Sequence, residues 1–150
     1  MEKELQQQIS SEVVSDIEKK LRYISHIIKR KGREILRHYS ITPPQFLALQ
    51  WLYDEGDMTI GDLSKKMHLA FSTTTDIIDR LEKNGLVKRI KDKDDRRVVQ
   101  IQLLAEGKSI ISEVIKKRQL YLSEILSEYS QEDVRRLQSE LAKLLDKMKD

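Results

Sequence analysis

Seven consecutive charged residues occupy positions 91–97 of this sequence, and four of them are basic: Lys91, Lys93, Arg96 and Arg97. They run from the last residue of "LVKRIK" to the start of "VVQIQL", and the apolar patterns of these two segments predict two strands, so the charges are expected at the tip of a β-hairpin. Basic side chains on such an arm can bind DNA phosphates, and the narrow, strongly negative minor groove attracts arginine. The alternative is a solvated hairpin whose charges only prevent edge-to-edge strand pairing.

Polar residues before the hairpin could contact bases. Residues 59–85 predict two short helices joined by a tight turn, because Thr59 and Asp62 have the spacing of a helix cap and Asn84-Gly85 is a helix stop. The second helix of such a helix-turn-helix can enter the major groove of DNA. An ordinary polar helix surface is the alternative for each of its residues. The residues expected on its outward face are Ser72, Thr73, Thr75, Asp76 and Arg80.

The remaining residues of that helix have different expected roles. Asp79 and Glu82 are expected to pair with neighbouring Arg or Lys rather than to contact anything else. Residues 41–85 contain 4 basic and 7 acidic side chains, so this segment is not expected to drive binding to DNA electrostatically. The residues expected to face inward are Thr74, Ile77, Ile78 and Leu81.

Helices before and after this region must hold it in place. A long N-terminal amphipathic helix is predicted, with Gly32 as its weak point. Thr42 is a predicted cap of the next helix, with two prolines in its first turn. Helical periodicity returns after Gly107 and predicts two further helices. The fold class is therefore mainly α with a small β-hairpin. The apolar stripe of the first helix consists of Leu5, Ile9, Val13, Ile17, Leu21, Ile24 and Ile28.

Composition excludes several classes of function. The 150 residues include 35% charged and 39% hydrophobic side chains and carry a net charge of +3, which suits a soluble protein and is compatible with an anionic partner. The absence of cysteine excludes disulfides, thiolate metal sites and cysteine catalysis. The three histidines lack metal-ligand spacing, and no acid, base or nucleophile set indicates an enzyme or a cofactor. Neither a signal peptide nor a membrane span is recognised, so the expected compartment is the cytoplasm.

The run "STTTDIIDRLEKNGLVKR" followed by "DDRRVVQIQLLAEG" resembles the MarR family of winged helix-turn-helix transcription regulators. The likeness is specific over residues 59–107. It implies a sequence-specific regulator of double-stranded DNA, with Arg97 inserted in the minor groove, Asp95 orienting it and Arg96 on a phosphate. A winged-helix adaptor that binds an acidic protein partner instead of DNA is the alternative.

The sequence departs from the family pattern at the recognition helix and after the wing. Asp76 stands where family members often carry Arg. A carboxylate there repels phosphate but could accept a hydrogen bond from the N4 amino group of cytosine. Leu104 replaces the Thr that usually caps the helix after the wing. Ala70 occupies a usual cap position, which Ser72 would take if the recognition helix began later.

The resemblance also implies a small aromatic or acyl effector that binds between the dimer helices and the DNA-reading lobe. For each candidate lining residue, an ordinary core or surface position is the favoured alternative. The absence of cysteine excludes the organic-hydroperoxide-sensing branch of the family. The residues that could line such a pocket are Tyr23, His26, Tyr39, Phe46 and Trp51.

The terminal helices are expected to form a homodimer. Their apolar stripes exceed what a compact helix-turn-helix needs to cover, and soluble monomers avoid large exposed patches. A two-fold axis would place two recognition helices about 34–36 Å apart, as a pseudo-palindromic operator requires. An intramolecular bundle is the alternative. The expected division is residues 1–38 and 104–150 for dimerisation and 42–103 for DNA binding, in a protein that represses transcription by occupying promoter DNA.

Overall fold

The computed structural model describes residues 9–149, and these residues form six α-helices and one β-hairpin. The order of elements is that of a winged helix-turn-helix with additional helices at both ends, as predicted. The helices are α1 (Ser11–Leu36), α2 (Pro43–Glu55), α3 (Ile60–Met67), α4 (Phe71–Lys83), α5 (Ala105–Leu126) and α6 (Gln131–Met148), and the strands are β1 (Val87–Lys91) and β2 (Val99–Leu103).

Helix α1 begins after Ser10, whose side chain accepts a hydrogen bond from the Glu12 N–H. It continues through Gly32, which is buried, and ends at Leu36. The predicted stripe residue Leu5 lies outside the described residues. The stripe residues from Ile9 to Ile28 are exposed, whereas Ile35 and Leu36 are buried. Only the last turn of α1 therefore joins the hydrophobic core.

Local capping determines where α2 and α3 begin. Thr42 and Gln45 form the predicted capping box, in which each side chain bonds the other residue's backbone N–H over 3.3 Å. The Thr59 side chain accepts a hydrogen bond from the Asp62 backbone N–H over 3.1 Å. Gly56 ends α2 with a φ of 86°, a value that glycine adopts without strain. The inward faces of these two helices include Phe46, Leu49, Leu52, Leu63 and Met67.

The two strands pair antiparallel, with Val87 opposite Leu103 and Lys91 opposite Val99. Ile101 is fully buried, and its backbone exchanges hydrogen bonds of 2.7 and 3.4 Å with that of Met58, which precedes α3. The hairpin is thereby joined along one edge to the helix-turn-helix. Its inner face is apolar, as the alternation in β2 predicts.

Helix α5 begins at Ala105, three residues before the start that the periodicity after Gly107 predicts and directly after the cap position at Leu104 that the family pattern implies. The Leu104 N–H donates to the Leu86 carbonyl over 2.9 Å, which anchors the helix start to the beginning of the hairpin. Gly107 lies against this contact, because a Cβ placed on it would be 2.6 Å from both the Leu86 carbonyl oxygen and Leu103 Cδ1. The helix can approach the hairpin this closely only with glycine at position 107.

Residues up to Ser112 form one compact unit, and residues from Glu113 form another. In the second unit the Ser130 side chain caps α6 by accepting from the Asp133 N–H over 3.1 Å. Among the described residues, no helix combines the length and the apolar character that crossing a bilayer requires.

Replacing Gly107 by alanine is expected to lower the free energy of unfolding by about 1–3 kcal/mol, because the new methyl group must displace a backbone carbonyl and a leucine. Chemical denaturation measures this change. Gly61→Ala is the matched control: its Cβ would lie 3.8 Å from Thr59 Oγ1. Alanine there should stabilise α3 by about 0.5–1 kcal/mol. A Gly107→Ala protein as stable as the wild type would contradict the close packing.

Candidate nucleic-acid interface

The outward face of α4 is polar and accessible. Ser72, Thr73, Asp76 and Arg80 are exposed, and Thr75 is half-buried. The inward side chains are the four that the sequence predicts, and each is at most 8% exposed. Helix α4 therefore presents its predicted polar residues to solvent. Their contact with DNA remains a prediction.

The hydroxyl groups near the start of α4 differ in their availability. Helix α4 begins at Phe71, so Ala70 is the cap position and Ser72 lies within the helix. The Thr74 hydroxyl is buried and donates to the Ala70 carbonyl over 3.0 Å. The Thr75 hydroxyl donates to the Phe71 carbonyl, also over 3.0 Å. Because its proton is committed to the helix, Thr75 can offer a ligand only its acceptor lone pairs.

Arg89 on β1 is bound to two carboxylates of α4. Its guanidinium donates to Asp79 Oδ1 over 2.6 Å and to Glu82 Oε1 over 2.5 Å. The Arg89 backbone N–H donates to Glu82 Oε2 over 2.9 Å. The hydrogen bond to Asp79, together with that to Glu82, raises the pKa of Arg89. The prediction that both acidic residues pair with a basic residue is confirmed, and their shared partner lies on the hairpin.

This pairing has an electrostatic consequence for the interface. Asp79 and Glu82 would otherwise add two unpaired negative charges to the outward part of α4, where they would repel phosphate. One guanidinium offsets part of that charge and also joins the recognition helix to the first strand of the wing. The link that Arg89 forms was not predicted from the sequence, since its type and spacing there are those of an ordinary strand residue.

The tip of the hairpin holds its arginine in a defined geometry. Asp95 accepts hydrogen bonds from the Arg97 backbone N–H and Nε, both 3.1 Å, and from Arg97 Nη2 over 3.3 Å. The Arg97 side chain nevertheless remains 91% exposed. The hydrogen bond from its side chain, and then that from its backbone, lower the pKa of Asp95, which is therefore ionised at neutral pH. An accessible arginine is thus oriented by a carboxylate.

The other basic residues of the tip are also exposed. Lys91, Lys93 and Arg96 lie at the surface around a tight turn. In that turn the Asp92 N–H donates to the Val98 carbonyl over 2.9 Å, and the Val98 N–H donates to the Asp95 carbonyl over 3.0 Å. The turn keeps the four cations together at the end of the arm.

The five residues proposed for an effector pocket occupy different environments. Tyr23 and His26 are exposed on α1, whereas Phe46 is buried in the core. Trp51 is half-buried beneath the Lys66 ammonium group, which lies 5.3 Å from the ring centre. Tyr39 lines an open cavity of about 360 Å³ together with Ile41, Asn84, Leu86, Glu106 and Ser109. None of the other four lines this cavity, so the pocket remains a prediction.

Comparisons with known proteins extend the resemblance. A model of the MarR family matches residues 41–99. The HTH-type transcriptional regulator YsmB of Bacillus subtilis is 60% identical over 138 residues, covering 92% of this chain and 94% of YsmB. A solved MarR family protein from Bacillus stearothermophilus is 51% identical with a TM-score of 0.89, covering 93% of this chain and 98% of that protein. NadR, solved in complex with 4-hydroxyphenylacetate, is 28% identical with a TM-score of 0.66, and the match covers 91% of this chain and 94% of NadR.

We expect Arg89→Ala to lower the free energy of unfolding by about 1–2 kcal/mol, because it removes a half-buried cation from two carboxylates. Arg136→Ala is the control, since Arg136 forms exposed ion pairs on α6 and should contribute at most about 0.5 kcal/mol. Urea denaturation of both variants provides the comparison. Equal effects of the two substitutions would show that Arg89 does not join α4 to the hairpin.

Proposed function

The chain belongs to the MarR family of DNA-binding transcriptional regulators, and from this membership we propose that it acts as a homodimeric repressor that occupies pseudo-palindromic promoter DNA. Members of this family are regulators and not enzymes. The observation that carries the proposal is the exposed Arg97, held by Asp95 at the tip of a hairpin that Arg89 joins to the recognition helix. Since the proposed target is chromosomal DNA, we place its action in the cytoplasm.

In this proposal α4 enters the major groove. Arg80 can donate two hydrogen bonds to guanine O6 and N7 or bind a phosphate, and the hydroxyls of Ser72 and Thr73 can bond phosphates or base edges. Thr75 accepts a hydrogen bond because its proton is committed to the Phe71 carbonyl. Asp76 would accept a hydrogen bond from the N4 amino group of cytosine, which favours cytosine at one position. Its negative charge disfavours a close phosphate.

The wing lies along the adjacent minor groove. Arg97 enters that groove, where narrow A·T-rich segments have an enhanced negative potential. Asp95 limits the orientations of the guanidinium before DNA binds, which reduces the entropy lost on binding. Lys91, Lys93 and Arg96 neutralise phosphates on either side. These four cations supply the attraction that the net-acidic segment 41–85 does not supply.

A second copy of the chain covers the apolar residues of the terminal helices. In α1, Val13, Ile17 and Ile24 are 50–52% exposed. Leu122, Ile125, Leu141 and Leu145 on α5 and α6 are 46–55% exposed. Apolar stripes of this extent on a soluble protein are typical of an interface. A two-fold dimer buries them and presents two recognition helices to two half-sites.

A small aromatic or acyl molecule is the proposed effector class. NadR binds 4-hydroxyphenylacetate. By analogy, a ligand of this chain would relieve repression by binding more tightly to a dimer whose recognition helices no longer match the half-site spacing. The change in DNA affinity is then limited to the difference between the ligand's affinities for the two states.

Selection of bound sequences from random duplexes with the purified protein tests the function directly. We expect two half-sites related by a dyad, with centres about 10–10.5 base pairs apart. Binding should weaken steeply with salt, with a slope near −0.9 for each phosphate neutralised. If no sequence is enriched and no duplex is bound at low salt, the chain is not a DNA-binding repressor.

Arg97→Ala is expected to weaken binding to the selected duplex at least about tenfold while leaving the dimer intact, because it removes the proposed minor-groove contact. Gel-shift titration measures the affinity. Arg136→Ala, which removes the same charge from α6, should leave the affinity unchanged. Equal affinity of the Arg97→Ala and wild-type proteins would rule out the wing contact.

Ile24→Glu is expected to convert the dimer to a monomer, because it places a charge within the apolar face of α1 that the second copy covers. Analytical ultracentrifugation distinguishes the two states. Leu47→Glu serves as the comparison, since Leu47 is 39% exposed on α2 and lies outside the terminal helices. A wild-type protein that sediments as a single chain would contradict the proposed assembly.

A further inference from the structure

Phe71 is the first residue of the recognition helix, and its side chain is 61% exposed. Of the described large hydrophobic side chains, only Met148 at the end of α6 is more exposed. Leu69, two residues earlier in the turn, is 37% exposed. A phenyl ring in water forgoes the free energy of burial, so a complex that covers this ring would gain that free energy.

The exposure of Phe71 is not expected from its position in the helix pattern. Phe71, Thr74 and Ile78 have the i, i+3, i+7 spacing of one helix face, and Thr74 and Ile78 are fully buried. The buried part of this helix face therefore begins at Thr74, one turn after Phe71. The Phe71 carbonyl accepts a hydrogen bond from the Thr75 hydroxyl over 3.0 Å, so the backbone of Phe71 belongs to the first turn of the helix. The ring is consequently presented from the helix start.

This location is the part of a recognition helix that approaches bases most closely. In helix-turn-helix proteins the N-terminal residues of the second helix contact base edges in the major groove. The floor of that groove offers an aromatic ring one apolar group, the C5-methyl of thymine. Ser72 and Thr73, which follow Phe71, have hydroxyls for the polar edges nearby.

We propose that Phe71 is a specificity-determining residue that contacts the C5-methyl group of one thymine in each half-site. The inference rests on the proposed DNA-binding function and names one base in its target. Cytosine at that position would keep a pyrimidine ring but lack the methyl group. Phe71 therefore favours thymine through apolar contact, whereas Arg80 and Asp76 act through hydrogen bonds.

Deoxyuridine provides a direct test, because it differs from thymidine only by that methyl group and pairs with adenine in the same way. Each thymine of the selected duplex is replaced in turn, and the Kd is measured for the wild type and for Phe71→Ala. One thymine per half-site should show about fourfold weaker wild-type binding on removal of its methyl group, the factor that corresponds to one buried carbon. Phe71→Ala should bind the thymidine and deoxyuridine duplexes equally well at that position.

Two further variants separate this contact from other roles of the ring. Phe71→Leu keeps an apolar side chain and should retain a reduced preference for thymidine. Leu69→Ala removes the neighbouring exposed apolar side chain and should keep the full wild-type preference. Circular dichroism and sedimentation establish that each variant is folded and dimeric. A Phe71→Ala protein that becomes monomeric would place the ring in a protein interface and would overturn the proposal.

Binding of the duplex by the wild-type protein distinguishes a failure of the proposed methyl contact from a failure of the proposed DNA-binding function. If the wild type and Phe71→Ala both bind the selected duplex with the same response to deoxyuridine at every thymine, Phe71 does not contact a methyl group, and the proposed function stands. If Leu69→Ala rather than Phe71→Ala abolishes the response, the contact is assigned to the wrong residue. If the wild type binds no duplex, both the contact and the DNA-binding function are wrong.

Discussion

The ion pairs of Arg89 with Asp79 and Glu82 connect the two parts of the proposed DNA-reading surface, the helix α4 and the hairpin. A recognition helix and a wing contact adjacent grooves together with the least loss of affinity when their relative position is set before DNA arrives, because ordering on binding reduces affinity. Apolar packing brings α4 and β1 together, but such packing has little directional preference. The guanidinium adds directional hydrogen bonds at the outer edge of this contact, where the apolar core ends.

Acidic residues in this protein orient cations as well as carrying charge. Asp79 and Glu82 hold Arg89, and Asp95 holds Arg97, so three of the carboxylates near the proposed interface are committed to arginine. Asp76 is also exposed on α4, and it lies at a position where the family pattern often has arginine. A DNA-binding surface can thus contain several carboxylates when arginines within the protein offset part of their charge. Its attraction for phosphate then comes from the cations at the end of the wing.

Exposed hydrophobic residues occur in two distinct arrangements. On the terminal helices they form stripes along whole faces, which suits burial against an equally long apolar surface of a second copy. At the start of α4 a single ring, with Leu69 near it, lies beside hydroxyl groups. The area of one ring is too small to hold two proteins together, but a single methyl group is enough to distinguish one base from another. The same physical effect can therefore support assembly in one place and base selection in the other.

The sequence determined those features that depend on residues within about four positions of each other. Capping at Thr42 and Thr59, the inward face of α4 and the strand alternation were predictable in this way, and the structure agrees with them. The motif across residues 59–107 was recognised by its likeness to a family and not from local spacing. Tertiary structure alone decided that Arg89 pairs with carboxylates seven and ten residues away and that Gly107 lies against the Leu86 carbonyl. It also left Phe71 exposed although its spacing matches the buried face. Caps and helical periodicity are local interactions, whereas these contacts depend on where the chain returns in space and where the core ends, which no short stretch of sequence specifies.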